Sequence, residues 1–479
     1  MSFLTLLEKI VAYSPRDLSL DRPLLDWGDG NKWTVRDSFE GTMVFGSTGS
    51  GKTSGSAAKI FEALLRAGYG GLVLSVKDEE RDNWIRLAKA ANRAQDILLF
   101  SVGGNSCYNP LEGETNVNNA VQLIFTLVEL MHKAEAKEDQ SFWRNEMLKM
   151  LRNPAELSLA AYGEINLPRM EAIIQSFPRT LIDAESATWK NTSACWQALE
   201  LAQPNPYGLS LHNLKRCRNY FLQELPTAAE KTRANVVSSA TGVLDQMLRD
   251  PLQSMFCGRT TISPSMAVQD GKIILIDVPL MEDDNMGKLA NMIWKFCFQR
   301  IVQRAGGRAR KVFLASDEAQ YFLNEEDAKF QTIARGMKCA SVYLTQSLPN
   351  LYGRLGHDFT HVLLPGLKTQ IFHQNACIET NKYASELIGQ RWVTKVSEGS
   401  SQSWGGASSH SNQNQSENTT RVREPWLQPE DFALLKTGGP ENDFQVEGIV
   451  FKPGKRFRNN RPYYRATFGQ QKPRATPGH

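Results

Sequence analysis

The apolar and polar positions divide this chain into two kinds of segment. Short apolar runs bounded by turn residues read as buried strands: Thr42–Phe45, Gly71–Val76, Asp96–Phe100, Lys272–Asp277, Lys311–Ala315 and Ala340–Leu344. Runs that are apolar almost throughout fit a sheet covered on both faces. Helical stretches lie between them, and the order strand, helix, strand is that of a parallel α/β sheet. From about Asn116 to Pro226 the period is helical, with clear segments at Val117–His132, Phe142–Leu151, Met170–Phe177 and Leu211–Leu225. The pattern therefore predicts an α/β fold with a mainly parallel sheet and an inserted all-α domain. Trp27 to Phe45 reads as short strands with turns at Gly28-Asp29-Gly30 and Glu40-Gly41.

The expected division is an N-terminal helix over 1–24, an α/β domain in two parts at 25–113 and 227–396, and the helical insertion at 114–226. A Ser/Asn/Gln/Gly-rich stretch follows at 397–420, with Trp404 its only large apolar residue. It cannot bury enough surface to offset its ordering entropy, so it is expected to be a mobile loop. The α/β domain returns at 421–468 and ends in a basic tail at 469–479.

Composition changes this picture little. With 41% hydrophobic and 22% charged residues, 479 residues make an ordinary globular protein of about three domains. Disorder over most of the length and a fibrous repeat are excluded. The net charge of +4 neither requires nor excludes a nucleic-acid partner. Seven scattered cysteines without a Cys-x-x-Cys pair argue against a disulfide framework or zinc knot. No window approaches the roughly 20 apolar residues of a membrane span. Met1 to Pro15 is amphipathic, is interrupted by Glu8 and Lys9, and lacks the plan of a signal peptide. It reads as a helix packed on the body.

Chemistry enters at Gly46-Ser47-Thr48-Gly49-Ser50-Gly51-Lys52-Thr53, which matches G-x-x-x-x-G-K-[ST] at every fixed position. It follows the strand Thr42–Phe45 and precedes a helix from about Lys52. The glycines let backbone N–H groups converge on a phosphate, and the helix N-terminus adds partial positive charge. Lys52 is expected to reach the β- and γ-phosphates of ATP, and the Thr53 hydroxyl to bind Mg²⁺. Ser54 completes the candidate nucleotide-binding set.

Two predicted strands end in an acid. Ile273–Asp277 is followed by Val278-Pro279-Leu280, with no second carboxylate adjacent. Val312–Ser316 is followed by Asp317-Glu318. ATP hydrolysis needs one carboxylate near Mg²⁺ and a second to polarise the attacking water, and only the Asp317-Glu318 pair supplies both. Asp317 is assigned to the metal and Glu318 to the water. The next strand runs into Thr345-Gln346-Ser347, so Gln346 can contact both the γ-phosphate and the water; a plain loop amide is the alternative. Arg335-Gly336 lies between, and Arg335 is a candidate finger reaching a neighbouring subunit, with a surface arginine as the rival reading.

These residues resemble a known family. GSTGSGKT (46–53), YNPL (108–111), a helical insertion, GKIILIDVP (271–279), DEAQYFL (317–323), ARG (334–336) and LTQS (344–347) occur in the order of the coupling ATPases of type IV secretion, the TraG/TraD type, within the HerA/FtsK-like group of ring-forming P-loop machines. The likeness spans roughly residues 25 to 395 and extends towards Phe468. It implies a P-loop, RecA-like motor domain with an all-α domain, assembled as a homo-hexamer. The implied activity is DNA-stimulated hydrolysis of ATP with Mg²⁺, driving DNA, often with a relaxase or other secretion-system proteins, to a membrane channel in a bacterium. Family members usually carry a transmembrane anchor, so its absence here implies a cytoplasmic form or one held at the inner membrane through partners. The family also tends to an Asp-Pro-Lys-Gly-Glu-like run after the second strand. Here that run is Ser75-Val76-Lys77-Asp78-Glu79, so its first acid is absent or moved.

A DNA translocase needs cations facing phosphates. One candidate set is Lys455, Arg456, Arg458, Arg461 and Arg465, with Tyr463 and Tyr464 among them; a second is Arg300, Arg304, Arg308, Arg310 and Lys311. Either also reads as a solvated face. His357 and His361 read as structural rather than metal-binding. Two further functions stay open: a HerA-type translocase acting with a nuclease in repair or defence, and a nucleotide-dependent adaptor that recruits protein substrates.

Overall fold

The structure, a computed structural model, describes residues 19–77, 79–131, 140–204, 210–278, 280, 284–308, 310–402 and 413–470. Most of the expected N-terminal helix and of the final tail therefore lies outside the described residues. Residues 19–22 form a turn, not a helix, and lead into a strand. The strands are β1 (Pro23–Asp26), β2 (Lys32–Thr34), β3 (Thr42–Phe45), β4 (Gly70–Leu74), β5 (Ile97–Ser101), β6 (Ile273–Asp277), β7 (Val312–Ser316), β8 (Cys339–Thr345), β9 (Thr369–Phe372), β10 (Gln390–Gln402), β11 (Gln413–Pro425), β12 (Gln445–Phe451) and β13 (Tyr463–Gly469). Each of the six apolar runs forms a strand, shifted by a residue or two at its ends.

The chain folds into two compact units. The first is built from Phe61–Asp317 and Lys329–Ser341. Its strands lie in the order β7-β4-β6-β5, all parallel, as the apolar runs predict. Helix Asp284–Ala305 packs on them and buries Trp294 completely, with the Phe100 and Tyr108 rings 5.0 and 4.5 Å from its own. The helical block of this unit starts with Val117–Met131 and Gln140–Tyr162. It runs past Pro226 through Glu230–Met247 and Leu252–Phe256. Its two chain ends are tied together: the Tyr108 N–H donates to the Met255 carbonyl (2.9 Å), and the Asn109 N–H to Thr260 Oγ1 (3.0 Å).

The second unit comprises Leu20–Ile60, Glu318–Ala328 and Val342–His479. Its strands are ordered β13-β12-β9-β3-β8, counting Val342–Thr345 of β8. β3 is parallel to β8 and β9, and β12 runs antiparallel to β9 and β13. Phe45 stacks on Phe372 at 5.2 Å between parallel strands, and Tyr383 and Phe432 close the cluster.

One sequence expectation is corrected in this unit. The stretch read as a loop at 397–420 pairs with itself for much of its length: β10 and β11 form an antiparallel ribbon in register from Gln390↔Pro425 to Gln402↔Gln413. Composition limits what a segment can bury, but two strands pair their facing backbone groups with each other whatever their side chains. The part of the α/β domain expected at 421–468 supplies β12 and β13 of this sheet. From Arg465 the residues of β13 alternate exposed and buried, with Ala466 and Phe468 buried, and Tyr463 is buried at the start of the strand.

Lys452 anchors the start of this unit to its end. Its ammonium contacts Asp37 and lies 2.6 Å from Glu40, with all three side chains largely buried. Burial pushes the Asp37 carboxyl up, but Lys452 and the Thr34 N–H outweigh it and hold the group below its ordinary value. The stability this pair contributes is therefore present above the ordinary carboxylate pKa and lost as pH falls through the lower folded value. Removing one partner strands buried charge, so Lys452→Ala should cost about 3–5 kcal/mol in urea unfolding monitored at neutral pH. A change under about 1 kcal/mol would contradict the burial of this pair.

Candidate active site

β3 delivers the chain to the loop Gly46–Lys52, and a helix leaves it. That helix opens with a π turn, Thr53–Ala57, before its α-helical part, Ala58–Arg66. The Ala57 N–H accordingly reaches back five residues to the Lys52 carbonyl at 3.1 Å. Within the loop, the Ser50 N–H donates to Ser47 O and the Ser47 N–H to Gln374 O, both at 3.0 Å. Among the described residues, the N–H groups of Thr48, Gly49, Gly51 and Lys52 donate to nothing. The buried Ser50 hydroxyl likewise has no partner. Several unpaired donors gathered beside a lysine at a helix start form an anion cradle, so the residues present fit a nucleotide phosphate.

The loop has little free space behind it. Gly51 has φ +80°, and a Cβ there would lie 2.5 Å from Val446 of β12. At Gly46 a Cβ would meet Ser50 Oγ at 2.4 Å and the His373 side chain at 3.0 Å. His373, just after β9, is completely buried. Its Nδ1 is 2.7 Å from the Glu447 carbonyl, and its Nε2 is 2.7 Å from Ser56 Oγ on the π turn. A carbonyl only accepts, so Nδ1 carries the proton, and Nε2 accepts from the Ser56 hydroxyl. Burial lowers the imidazole pKa to about 4, although its bond to Glu447 opposes this, so the ring is neutral at pH 7. A lone histidine carries no motif, and the sequence reading missed it.

Glu318 is the centre of the polar cluster. It follows β7 by two residues and adopts a left-handed conformation, φ 49°, ψ 49°, which is costly for a residue with a Cβ. Its side chain is buried and accepts from three donors. Lys52 Nζ is 3.5 Å from Oε1, Gln346 Nε2 is 3.2 Å from the same oxygen, and Gln320 Nε2 is 2.9 Å from Oε2. The Thr345 hydroxyl donates to Gln320 Oε1 at 2.9 Å and so fixes which way that amide faces. The structure thus brings together Lys52, Glu318 and Gln346, three residues predicted from separate motifs. Gln320 was not predicted, although it stands two positions after Glu318.

Asp317 ends the first unit and is half-buried. Glu80, on the first turn of helix Glu79–Ala90, is buried near it. Burial, then the charge of Asp317, pushes the Glu80 carboxyl up to about 8, while the Val76 N–H donates to it at 3.3 Å. Glu80 lies one residue beyond the run Ser75-Val76-Lys77-Asp78-Glu79. Asp277, the acid set aside, pairs with Arg81 at 3.4 Å. Arg335 lies in an exposed turn after helix Glu325–Ala334, in the first unit. Ser54 is exposed, and its hydroxyl accepts from Gln470 Nε2 at 2.7 Å.

Several of the cations considered for DNA have partners within the protein. Arg465 pairs with Glu447 at 2.8 Å, and Lys455 donates to the Lys32 carbonyl at 2.6 Å. Arg304 pairs with Glu114 at 3.4 Å, and Arg310 donates to the Gln269 carbonyl at 2.8 Å. His357 stacks on Tyr352 at 3.9 Å, and the described residues contain no cluster that could hold a metal through His, Cys, Asp and Glu alone. No described helix is long and apolar enough to cross a membrane.

Residues 311–437 match the family described as the TraM recognition site of TraD and TraG. No curated protein matches the chain. Among solved structures, it resembles the bacterial conjugative coupling protein TrwBdeltaN70 in an unbound form, with a TM-score of 0.61 at 15% identity over 99% of this chain and 94% of that one. The plasmid coupling protein TrwB in complex with ADP and Mg²⁺ gives a TM-score of 0.63 at 14% identity, over 98% and 93%. TrwB with the non-hydrolysable ATP analogue ADPNP gives 0.60 at 15%, over 99% and 95%. At such identities the shared property is the fold, an α/β P-loop architecture. The likeness to TraG/TraD-type coupling ATPases, read from the motifs, thus recurs in the matching segment and in the fold.

The buried histidine makes a pH prediction. Its folded pKa of about 4 lies below the unfolded value of about 6.5, so between these the unfolded chain binds the extra proton. Stability should fall as pH drops from about 6.5 to 4, with a loss of about 2 kcal/mol at pH 5 from this group. His373→Gln should remove that component from the acid limb of a pH–stability curve. An unchanged acid limb in the variant would show that His373 already protonates freely in the folded protein.

Proposed function

We propose that this protein is an ATP-driven coupling motor that hydrolyses ATP to move or recruit DNA in conjugative transfer. The observation that carries the reading is the buried convergence of Lys52, Gln346 and Gln320 on Glu318, beside a loop with unpaired phosphate-facing amides. Loop residues 46–53 and Ser54 would hold the triphosphate, with Lys52 directed to its outer phosphates. Mg²⁺, assigned to Thr53 and Asp317, would neutralise developing phosphate charge. Glu318 holds and polarises the attacking water, and its left-handed backbone fixes where the carboxylate points. Gln346 orients that water and the γ-phosphate. Binding of phosphate to Lys52 competes with the Lys52–Glu318 ion pair and frees the carboxylate for water. The matching TraM-recognition segment and the fold of the TrwB structures, two of which contain ADP with Mg²⁺ or ADPNP, support this assignment. A homo-hexamer, with Arg335 crossing to the neighbouring site, and a relaxase partner complete the proposal.

Glu318→Gln keeps the shape and loses the base, so ATP binding should survive while turnover drops about 10²–10⁴-fold. Lys52→Ala should abolish turnover with the fold intact, whereas Asp277→Asn should change it by less than about twofold, because Asp277 pairs with the half-exposed Arg81. If the Asp277 change is the more damaging, the wrong strand has been chosen. Added DNA should raise the ATPase rate; stimulation by a protein partner alone would favour the adaptor reading.

The shared-site idea has a separate check. Arg335→Ala should bind ATP and hydrolyse it about 10³–10⁵-fold more slowly. Mixing it with Lys52→Ala protein should restore part of the rate, because a mixed boundary pairs an intact loop with an intact arginine. Mixed assemblies that stay inactive would place Arg335 outside any trans role.

A further inference from the structure

The β10–β11 ribbon lies outside the nucleotide site. Its register pairs Trp392 with Arg423, Thr394 with Arg421 and Val396 with Thr419. Side chains alternate along a strand, so these six share one face. The opposite face carries Arg391 with Glu424, Val393 with Val422 and Lys395 with Thr420. That second face neutralises part of its charge through the Lys395–Glu424 ion pair at 2.7 Å. The first face carries Glu398 opposite Glu417 farther along the ribbon, but among the described residues Arg421 and Arg423 have no carboxylate partner. Trp392 is 60% exposed and Val396 52%, and the Arg423 guanidinium lies 4.9 Å over the Trp392 ring. An isolated two-stranded ribbon is only marginally stable, and the exposed Trp392 and Val396 of the first face point to a partner.

Charge and shape select the partner. Two unpaired arginines, an exposed indole and two threonine hydroxyls suit a surface of phosphates and bases. A two-stranded ribbon fits the roughly 12 Å major groove of a DNA duplex. Thirteen residues per strand at about 3.4 Å each give an arm of about 40 Å, longer than one helical turn. Anionic lipid would also attract the arginines, but an apolar stripe broken by threonine and arginine offers little to bury in a bilayer.

We propose that the β10–β11 ribbon is a DNA-contacting arm, with Trp392, Arg421 and Arg423 facing the duplex. This rests on the DNA reading of the function and adds where the contact is made. It is tested by fluorescence anisotropy of a labelled DNA duplex across a salt series, with full-length wild-type, Arg421→Ala/Arg423→Ala, Arg421→Lys/Arg423→Lys and Trp392→Ala proteins. The alanine pair should bind at least about tenfold more weakly, and its slope of log affinity against log salt should fall by about 1.8, or 0.9 per lost phosphate contact. The lysine pair should keep the wild-type slope, and Trp392→Ala should weaken binding with the slope unchanged. Melting temperature and ATPase rate without DNA should match wild type in all three. If the alanine pair binds duplex like wild type with an unchanged slope, the arm is not the contact, although the DNA reading stands. If wild-type protein binds no DNA, both fail. Loss of binding to phosphatidylserine vesicles with DNA binding intact would make the arm a membrane contact and overturn the proposal.

Discussion

The close approach of the phosphate loop to β12 is the constraint on which the site depends. Gly51 and Gly55 both abut Val446, with a Cβ at either position 2.5 to 3.0 Å from that side chain. His373 then bonds the π turn through Ser56 and β12 through the Glu447 carbonyl. A loop near residue 50 thus takes its shape from a strand near residue 446, which in turn needs β13 as its outer neighbour. The neutral ring suits this position. A cation there would be buried near Lys52, whose charge already disfavours protonation.

Electrostatics divides the two adjacent acids. Glu318 is buried but surrounded by donors, and the ammonium of Lys52 compensates its charge. Asp317 has a buried carboxyl neighbour in Glu80, which burial and the aspartate's charge drive towards the protonated form. One acid is thus matched to a cation and the other to a neutral acid, a separation by environment that suits distinct roles. The left-handed backbone at Glu318 adds direction: strain at one residue is tolerated because three side chains hold the carboxylate it presents.

The strands and the phosphate loop were legible in the sequence because their signals are local. An apolar run of five residues, or a glycine spacing followed by Lys-Thr, needs no distant partner to be recognised. The pairing of Lys52 with Glu318 and Gln346 followed from motif roles. What escaped depends on tertiary contacts, or on backbone pairing that the side chains do not signal. His373 acquires its role from Ser56 and Glu447, which lie 317 and 74 positions away. β13 alternates only from Arg465, and the ion pair of Arg465 with Glu447 is a tertiary fact. The ribbon was hidden because Ser, Asn, Gln and Gly say little about backbone pairing.

The π turn at Thr53–Ala57 has an evolutionary consequence. A π turn accommodates an extra residue relative to an α-helix, so it marks a point where one residue can enter or leave a lineage without refolding the element. Ser56 sits within that turn, and its hydroxyl is spent on His373. Deleting one residue here would restore an α turn, leave the helix from Ala58 facing as before, and shift the positions inside the turn, so that the hydroxyl moves away from the imidazole. Ser56 and His373 should therefore be gained and lost together with the extra residue, and comparisons that pair positions rigidly downstream of Thr53 will mismatch this chain against relatives whose helix is α from its first turn.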